Sequence, residues 1–197
     1  LQSLLLASFL KAKENLIQVN IEGGGTWNKW APSAEYIKDV FGGFMKGIGL
    51  NFKLEVLREG FYPKGGARVR ARWKVDELKG VDLVDVGDLR FVHGVSVASR
   101  GLKRANVAGK QVDSAYRFLG KSLDCGVKIG VRYVDTWCAG SGMLIVGEFD
   151  DFSIGFDIVG EKGKLSEVIG KECAEGFVRQ IERECCVDEK LFDQVLP

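Results

Sequence analysis

The stretch at residues 22–36, EGGGTWNKWAPSAEY, constrains the fold more than any other part of the chain. Three consecutive glycines separate a strand-like run at 16–21 from an amphipathic helix predicted at 33–48. Glycine adopts positive φ and leaves no side chain between the backbone and a ligand. Pro32 suits the first turn of a helix, so we expect the first helical amides to point out of the loop unpaired. Two interpretations stay open, ordinary turn chemistry or an anion site. The pattern is not a P-loop, because no Gly-Lys-Ser/Thr follows.

Hydrophobic periodicity predicts the class of fold. Apolar residues recur at helical spacing through 36–48, and they alternate with polar residues at 52–56 and 69–73. The first pattern is typical of a helix with one buried face, and the second of half-buried strands. We therefore predict an α+β protein made of repeated β/α units, with the helices packed on one side of mixed sheets.

The alternation at 68–74 also predicts a basic strip. Its four cations are Arg68, Arg70, Arg72 and Lys74. Period two puts all four on one face of a strand, roughly 7 Å apart from one to the next. One interpretation is a solvated face with nearby acids as partners. The other is an RNA-binding strip that follows phosphates along a strand.

Composition limits the remaining classes. The formal charge of +1 gives no overall attraction to nucleic acid, so RNA contacts would depend on a local patch. No apolar run approaches the length of about 20 residues that a membrane span needs, so no membrane partner is expected. The five cysteines have no metal-binding spacing and are interpreted as reduced thiols of a cytoplasmic protein.

Two shifts in composition predict the domain organisation. Acids are concentrated at 76–88, and after a helix and strands predicted at about 89–159 a helical period returns past residue 163. We predict one body from residues 1–74 and 164–197, with residues 75–163 forming a small inserted α+β domain. Asp188 is a suitable N-cap for the last predicted helix.

Three motifs occur in order along the chain. They are Gly-Gly-Thr followed by Ala-Pro and Glu-Tyr within 24–36, Gly-Phe-Tyr-Pro-Lys-Gly-Gly at 60–66, and Asp-Gln-Val-Leu-Pro at 193–197. The series resembles RNA 3′-terminal phosphate cyclase over the whole chain. The resemblance implies a central fragment, with a large-domain repeat at 1–74, a thioredoxin-like insert at 75–163 and a truncated last repeat at 164–197.

The resemblance also implies an activity. A ligase-class enzyme would use ATP to convert an RNA 3′-terminal phosphate into a 2′,3′-cyclic phosphodiester, through an enzyme–AMP intermediate on histidine and an RNA adenylate. Its implied partners are ATP, a divalent metal (Mg or Mn), RNA 3′ ends and a possible homodimer. Asp193 is assigned catalysis and metal coordination. The implied ATP contacts are Gln2, Pro32, Ser33, Lys190, Leu191, Phe192, Asp193 and Gln194.

Departures from the family pattern leave other hypotheses about the function open. The nucleophilic histidine is expected beyond Pro197, and His93, the only histidine, is interpreted as structural. The 197-residue chain by itself is therefore expected to be inactive. Lys190 stands where the family has an aromatic residue. The runner-up is a catalytically inactive cyclase-like protein of ribosome assembly, and a weaker third hypothesis is an enolpyruvyl transferase. The intact motifs at 60–66 and 193–197 favour the cyclase.

Overall fold

The computed structural model describes residues 2–195, and its two sheets with their helices confirm the predicted α+β class. The strands are β1 (Ile17–Glu22), β2 (Leu50–Arg58), β3 (Arg68–Val75), β4 (Phe91–Ser99), β5 (Gly126–Val134), β6 (Ser141–Glu148) and β7 (Ser153–Val159). The helices are α1 (Gln2–Ala7), α2 (Phe9–Ala12), α3 (Ala34–Tyr36), α4 (Gly42–Gly47), α5 (Val107–Ser122), α6 (Ser166–Ile181) and α7 (Glu189–Val195). A π-helical turn (Ile37–Phe41) joins α3 to α4, and a 3₁₀ turn (Arg100–Leu102) precedes α5.

The first sheet has three antiparallel strands in the order β1-β3-β2. Its inner face is apolar because Phe52, Leu54, Ala71 and Trp73 alternate with polar residues. The helical run of α3, the π turn and α4 packs on this face, with Val40 and Phe41 buried in the same core. This run matches the helix predicted at 33–48 to within one residue at each end. Ser33 is its N-cap, and the Ser33 Oγ accepts the Tyr36 amide at 3.1 Å.

The second sheet has four strands in the order β5-β4-β6-β7. β4 and β5 are parallel, and the other pairs are antiparallel, so this is the mixed sheet. Parallel neighbours need a long crossover, which α5 supplies. β6 is buried on both faces: Met143 and Ile145 face α5 and α6, whereas Leu144 and Val146 join the core of the first sheet. The helical run at 34–47 therefore lies between the two sheets.

The chain after residue 163 contacts the second sheet and the helical run between the sheets. α6 packs against α5 and β7, whereas α7 contacts the π-helical turn at 37–41. The division into 1–74, 75–163 and 164–197, and the thioredoxin-like character of the insert, stay predictions. Within residues 2–195, no helix is both long enough and apolar enough to cross a membrane.

Candidate functional site

The two glycine motifs pack against each other through their backbones. The Gly23 amide donates to the Ala67 carbonyl at 2.9 Å, and the Thr26 amide donates to the Gly60 carbonyl at 2.9 Å. Gly65 has φ +63°, and a Cβ placed on it would lie 2.5 Å from the Gly24 carbonyl oxygen. Gly65 thus allows the two turns to approach more closely than a side chain at that position would permit.

The helix that follows these turns has no open anion site. The Ser33 amide donates to Asp157 Oδ2 at 2.6 Å, and the Ala34 amide donates to the Thr26 carbonyl at 2.8 Å. The expectation of unpaired amides at this helix start was wrong, because a carboxylate of the protein already occupies the position of an external anion.

Asp157 connects the Pro32-Ser33 turn to the end of the chain. Its carboxylate lies on β7 with its side chain 4% exposed, and it pairs with the Lys190 ammonium of α7. Lys190 Nζ also donates to the Asp157 carbonyl at 3.2 Å. One buried carboxylate therefore holds together two segments, Ser33 and Lys190, that the sequence analysis had assigned to one site.

Asp188 fixes the start of α7, as its predicted N-cap role requires. Its Oδ1 accepts the Leu191 amide at 2.9 Å and the Tyr36 hydroxyl at 2.5 Å. Its Oδ2 accepts the Gly155 amide at 2.9 Å. Burial raises the pKa of Asp188 above its ordinary value. Burial and the Asp188 charge raise the pKa of the Tyr36 hydroxyl far above its ordinary value, so this hydroxyl acts as a donor.

The remaining predicted contacts of α7 differ in accessibility. Asp193 and Phe192 are exposed and line a cavity of about 540 Å³ beside the end of α6. Gln194 is half-buried, whereas Leu191 is fully buried in the core.

The predicted nucleotide contacts outside α7 are less accessible. Pro32 is half-buried, and Ser33 is completely buried. The predicted contact of Gln2 lies outside the described side chains, as do Leu196 and Pro197 at the end of the last motif.

The described residues include no cluster of carboxylates that would form a metal site by itself. Among the residues that the structure describes, no group of three or more His, Cys, Asp or Glu side chains could hold an ion. Magnesium in nucleotide sites usually takes one or two carboxylates and fills its other positions with phosphates and water. Asp193 offers one exposed carboxylate, which fits an ion carried by a nucleotide better than a site built by the protein.

The basic strip lies on the outer face of the first sheet, where acids accompany it. Arg68 Nε pairs with Glu22 on β1 at 2.9 Å. Arg70 Nη1 lies 3.6 Å from Glu55 Oε2 on β2. Arg72 forms an ion pair with the same carboxylate. Lys74, the fourth cation of the strip, is exposed near the end of β3. Four cations therefore face two acids along β3.

A buried charge cluster was missed by the sequence analysis. Arg132 on β5 donates to both Glu35 and Glu59, whose side chains are 3% and 4% exposed. Thr26 donates to the other oxygen of Glu59, and Lys38 Nζ lies 3.0 Å from Glu35. Burial is the largest influence on Glu35 and opposes ionisation, but Arg132 and Lys38 together lower its pKa. Burial raises the pKa of Glu59, which Thr26 and Arg132 only partly offset.

The only histidine of the chain is paired with a different carboxylate. His93 Nε2 is 2.7 Å from Glu148 Oε1, and the Ser153 hydroxyl donates to the same carboxylate at 2.8 Å. The Glu148 hydrogen bond raises the pKa of His93. These contacts agree with a structural role for the imidazole.

One family of proteins matches the whole chain. A family model described as RNA 3′-terminal phosphate cyclase matches residues 1–197. RNA 3′-terminal phosphate cyclases of Methanopyrus kandleri and Archaeoglobus fulgidus are 34% and 32% identical to the chain over 207 and 196 residues. The protein of the same name from Pyrococcus abyssi is 32% identical over 200 residues. Each match covers 100% of this chain and 56% of the relative, so the chain spans about half the length of these relatives.

Proposed function

Because the chain belongs to the RNA 3′-terminal phosphate cyclase family, we propose that it forms the nucleotide-binding and RNA-binding part of an enzyme that cyclises RNA 3′-phosphate ends with ATP. The observation that carries the proposal is that the Asp157 carboxylate binds both Ser33, within the first motif, and Lys190, on the helix α7 that also carries Asp193 and Gln194 of the third motif. The proposed enzyme is of the ligase class and acts in the cytoplasm.

The chemistry explains why ATP is required. An oxygen of the RNA phosphate is a poor leaving group. Transfer of AMP from ATP to that phosphate, with release of pyrophosphate, makes AMP the leaving group, so the neighbouring 2′-hydroxyl can attack the phosphate and release AMP. A histidine nucleophile divides the transfer into two easier steps. His93, interpreted from the sequence as structural, is not proposed as that nucleophile.

The proposed nucleotide contacts lie at the surface of α7. Phe192 offers an exposed apolar face, and Asp193 offers a carboxylate beside it. Gln194 is half-buried and is proposed to donate to the nucleotide. Leu191 and Ser33 are fully buried, so their proposed part is to position these neighbours. A magnesium ion held by Asp193 would offset phosphate charge.

The Asp193→Asn substitution should lower the rate of enzyme adenylation by about tenfold or more in the full-length protein. It removes a charge but little volume, and the side chain is exposed, so the melting temperature should not change. The measurement is transfer of labelled AMP from ATP, followed on a denaturing gel.

Glu182→Gln, which removes an exposed acid at the end of α6, is the matched control and should adenylate normally. The 197-residue chain alone should take no label. Normal adenylation by Asp193→Asn would remove Asp193 from the site. A full-length protein that binds RNA but never takes label would favour the inactive assembly protein.

The basic strip provides a second test. If the strip follows phosphates, Arg70→Gln with Arg72→Gln should flatten the dependence of RNA affinity on salt, because each lost phosphate contact removes roughly 0.7 from the log–log slope. Both side chains lie on the outer face, so the fold should be kept. Lys13→Gln, a cation outside the strip, serves as the control. An unchanged slope would leave the strip as a solvated face paired with acids.

A further inference from the structure

Three large aromatic side chains are exposed on neighbouring turns. Trp30 is 91% exposed, Tyr62 is 83% exposed and Trp137 is 57% exposed. We call these three side chains the aromatic surface. Large exposed apolar groups that lie together mark interaction sites more often than isolated ones do.

The turns that carry the aromatic surface are in direct contact. Trp27 and Phe61 form a parallel backbone bridge, so the turns at 26–33 and 60–66 lie side by side. Cys138 Sγ donates to the Phe61 carbonyl at 3.1 Å, which attaches the turn at 135–140 to them. Backbone bridges between Asn28 and Ala31, and between Phe61 and Gly65, close the first two turns tightly.

Trp137, the third residue of the aromatic surface, is held in place although it is accessible. The guanidinium carbon of Arg58 lies 4.7 Å from the centre of the Trp137 ring. A Cβ on Gly66 would lie 2.5 Å from the same ring, so the backbone there packs directly on the indole. These contacts fix the position of the indole, which stays 57% exposed beside the turns of the two other aromatic side chains.

Cations lie on or beside the turns that carry the aromatic surface. Lys29 and Lys64 belong to the first two turns, Arg58 contacts Trp137, and Arg100 pairs with Asp135 of the third turn. Two acids accompany them: Glu161 lies 3.4 Å from Lys29, and Asp135 lies 3.0 Å from Arg100.

We propose that the aromatic surface stacks the bases of single-stranded RNA, while the cations on or beside the same turns contact its phosphates. Stacking on aromatic side chains beside a positive groove is how proteins bind single strands without sequence preference. The inference rests on the proposed function, and it assigns the RNA path to a face adjoining the proposed nucleotide site, since Trp30 is two residues from Pro32. The basic strip begins at Arg68, directly after the turn that carries Tyr62, and would continue this path.

The test uses the full-length protein and a fluorescent 12-nucleotide single-stranded RNA, with affinity measured by anisotropy. Trp30→Ala combined with Tyr62→Ala should weaken binding by at least about fivefold for each stacked base lost. Trp30→Phe and Tyr62→Phe should restore most of the affinity, because they keep a stacking ring. The salt slope should not change, because no phosphate contact is removed. Leu10→Ala, which removes an apolar side chain that is 77% exposed elsewhere, should bind like the parent.

An abasic strand of the same length separates stacking from charge, and the alanine variants should bind it as the parent does. Parent-like affinity of the double alanine variant for the normal RNA would overturn the inference while leaving adenylation, and hence the proposed function, intact. Absence of RNA binding by the parent would instead contradict the proposed function. Loss of a protein–protein association with unchanged RNA affinity would assign the aromatic surface to a protein partner and would also overturn the inference.

Discussion

Replacing Arg132 with Met should lower the free energy of unfolding by about 3 kcal/mol, because it leaves two buried carboxylates without their shared cation. Glu35 and Glu59 are almost completely buried, and both accept hydrogen bonds from the same guanidinium. The arginine itself is 41% exposed, so the expected loss lies toward the lower end of the range for breaking a buried ion pair. Urea denaturation of the parent and the variant measures the difference.

The loss should depend on pH in a defined direction. In the parent, the pKa of Glu35 is lowered despite burial, so its ionised form contributes stability that is present above its unfolded pKa and is lost as pH falls through the folded value. Without Arg132, burial should raise both carboxyl pKa values above those of the unfolded chain. The variant should then regain stability as pH falls from 8 to 5.

Two comparisons make the Arg132 result specific. Arg132→Lys should lose less stability, because it keeps the charge but not the two-pronged donor. Arg90→Met removes a surface arginine that pairs with Asp150 at 2.7 Å, and it should leave the denaturation midpoint unchanged. A stability deficit in Arg132→Met that is equal at pH 5 and pH 8 would contradict the buried-charge explanation.

Gly65→Ala should cost about 3 kcal/mol, the second large effect expected. Gly65 has φ +63°, where a Cβ adds roughly 1 kcal/mol of strain. The new Cβ would also lie 2.5 Å from the Gly24 carbonyl oxygen, and forcing two backbones apart typically adds about 1–3 kcal/mol. The two glycine turns should therefore separate, and the buried Thr26–Glu59 contact beside them should weaken.

Gly24→Ala is a matched control for this substitution. Gly24 has the same φ of +63°, but a Cβ there would meet no atom within 4 Å. It should cost only the backbone strain, about 1 kcal/mol. Thermal denaturation of both variants separates strain from close approach. Equal losses would show that the contact between the turns does not limit stability.

The local elements of this fold could be predicted from the sequence because their causes are local. The spacing of Tyr36, Val40 and Phe41 predicted the helix, and the alternation around Ala71 and Trp73 predicted a strand with one buried face. Asp188 could be identified as a cap from its place before α7. The glycines predicted the turns, but not that the turns pack on each other.

The sequence itself determined the family, the α+β class, the helix over 34–47 and the basic strip on one strand face. Each of these depends on neighbouring residues or on the order of motifs. Tertiary structure alone decided the contacts of charged groups. Asp157 meets Ser33 across 124 residues, and Arg132 meets Glu35 across 97. The signal for both was a charged residue at a half-buried or buried strand position, but a buried charge needs a partner that local sequence cannot name. Only the packing of the four-stranded sheet on the helix between the sheets brings these partners within hydrogen-bonding distance.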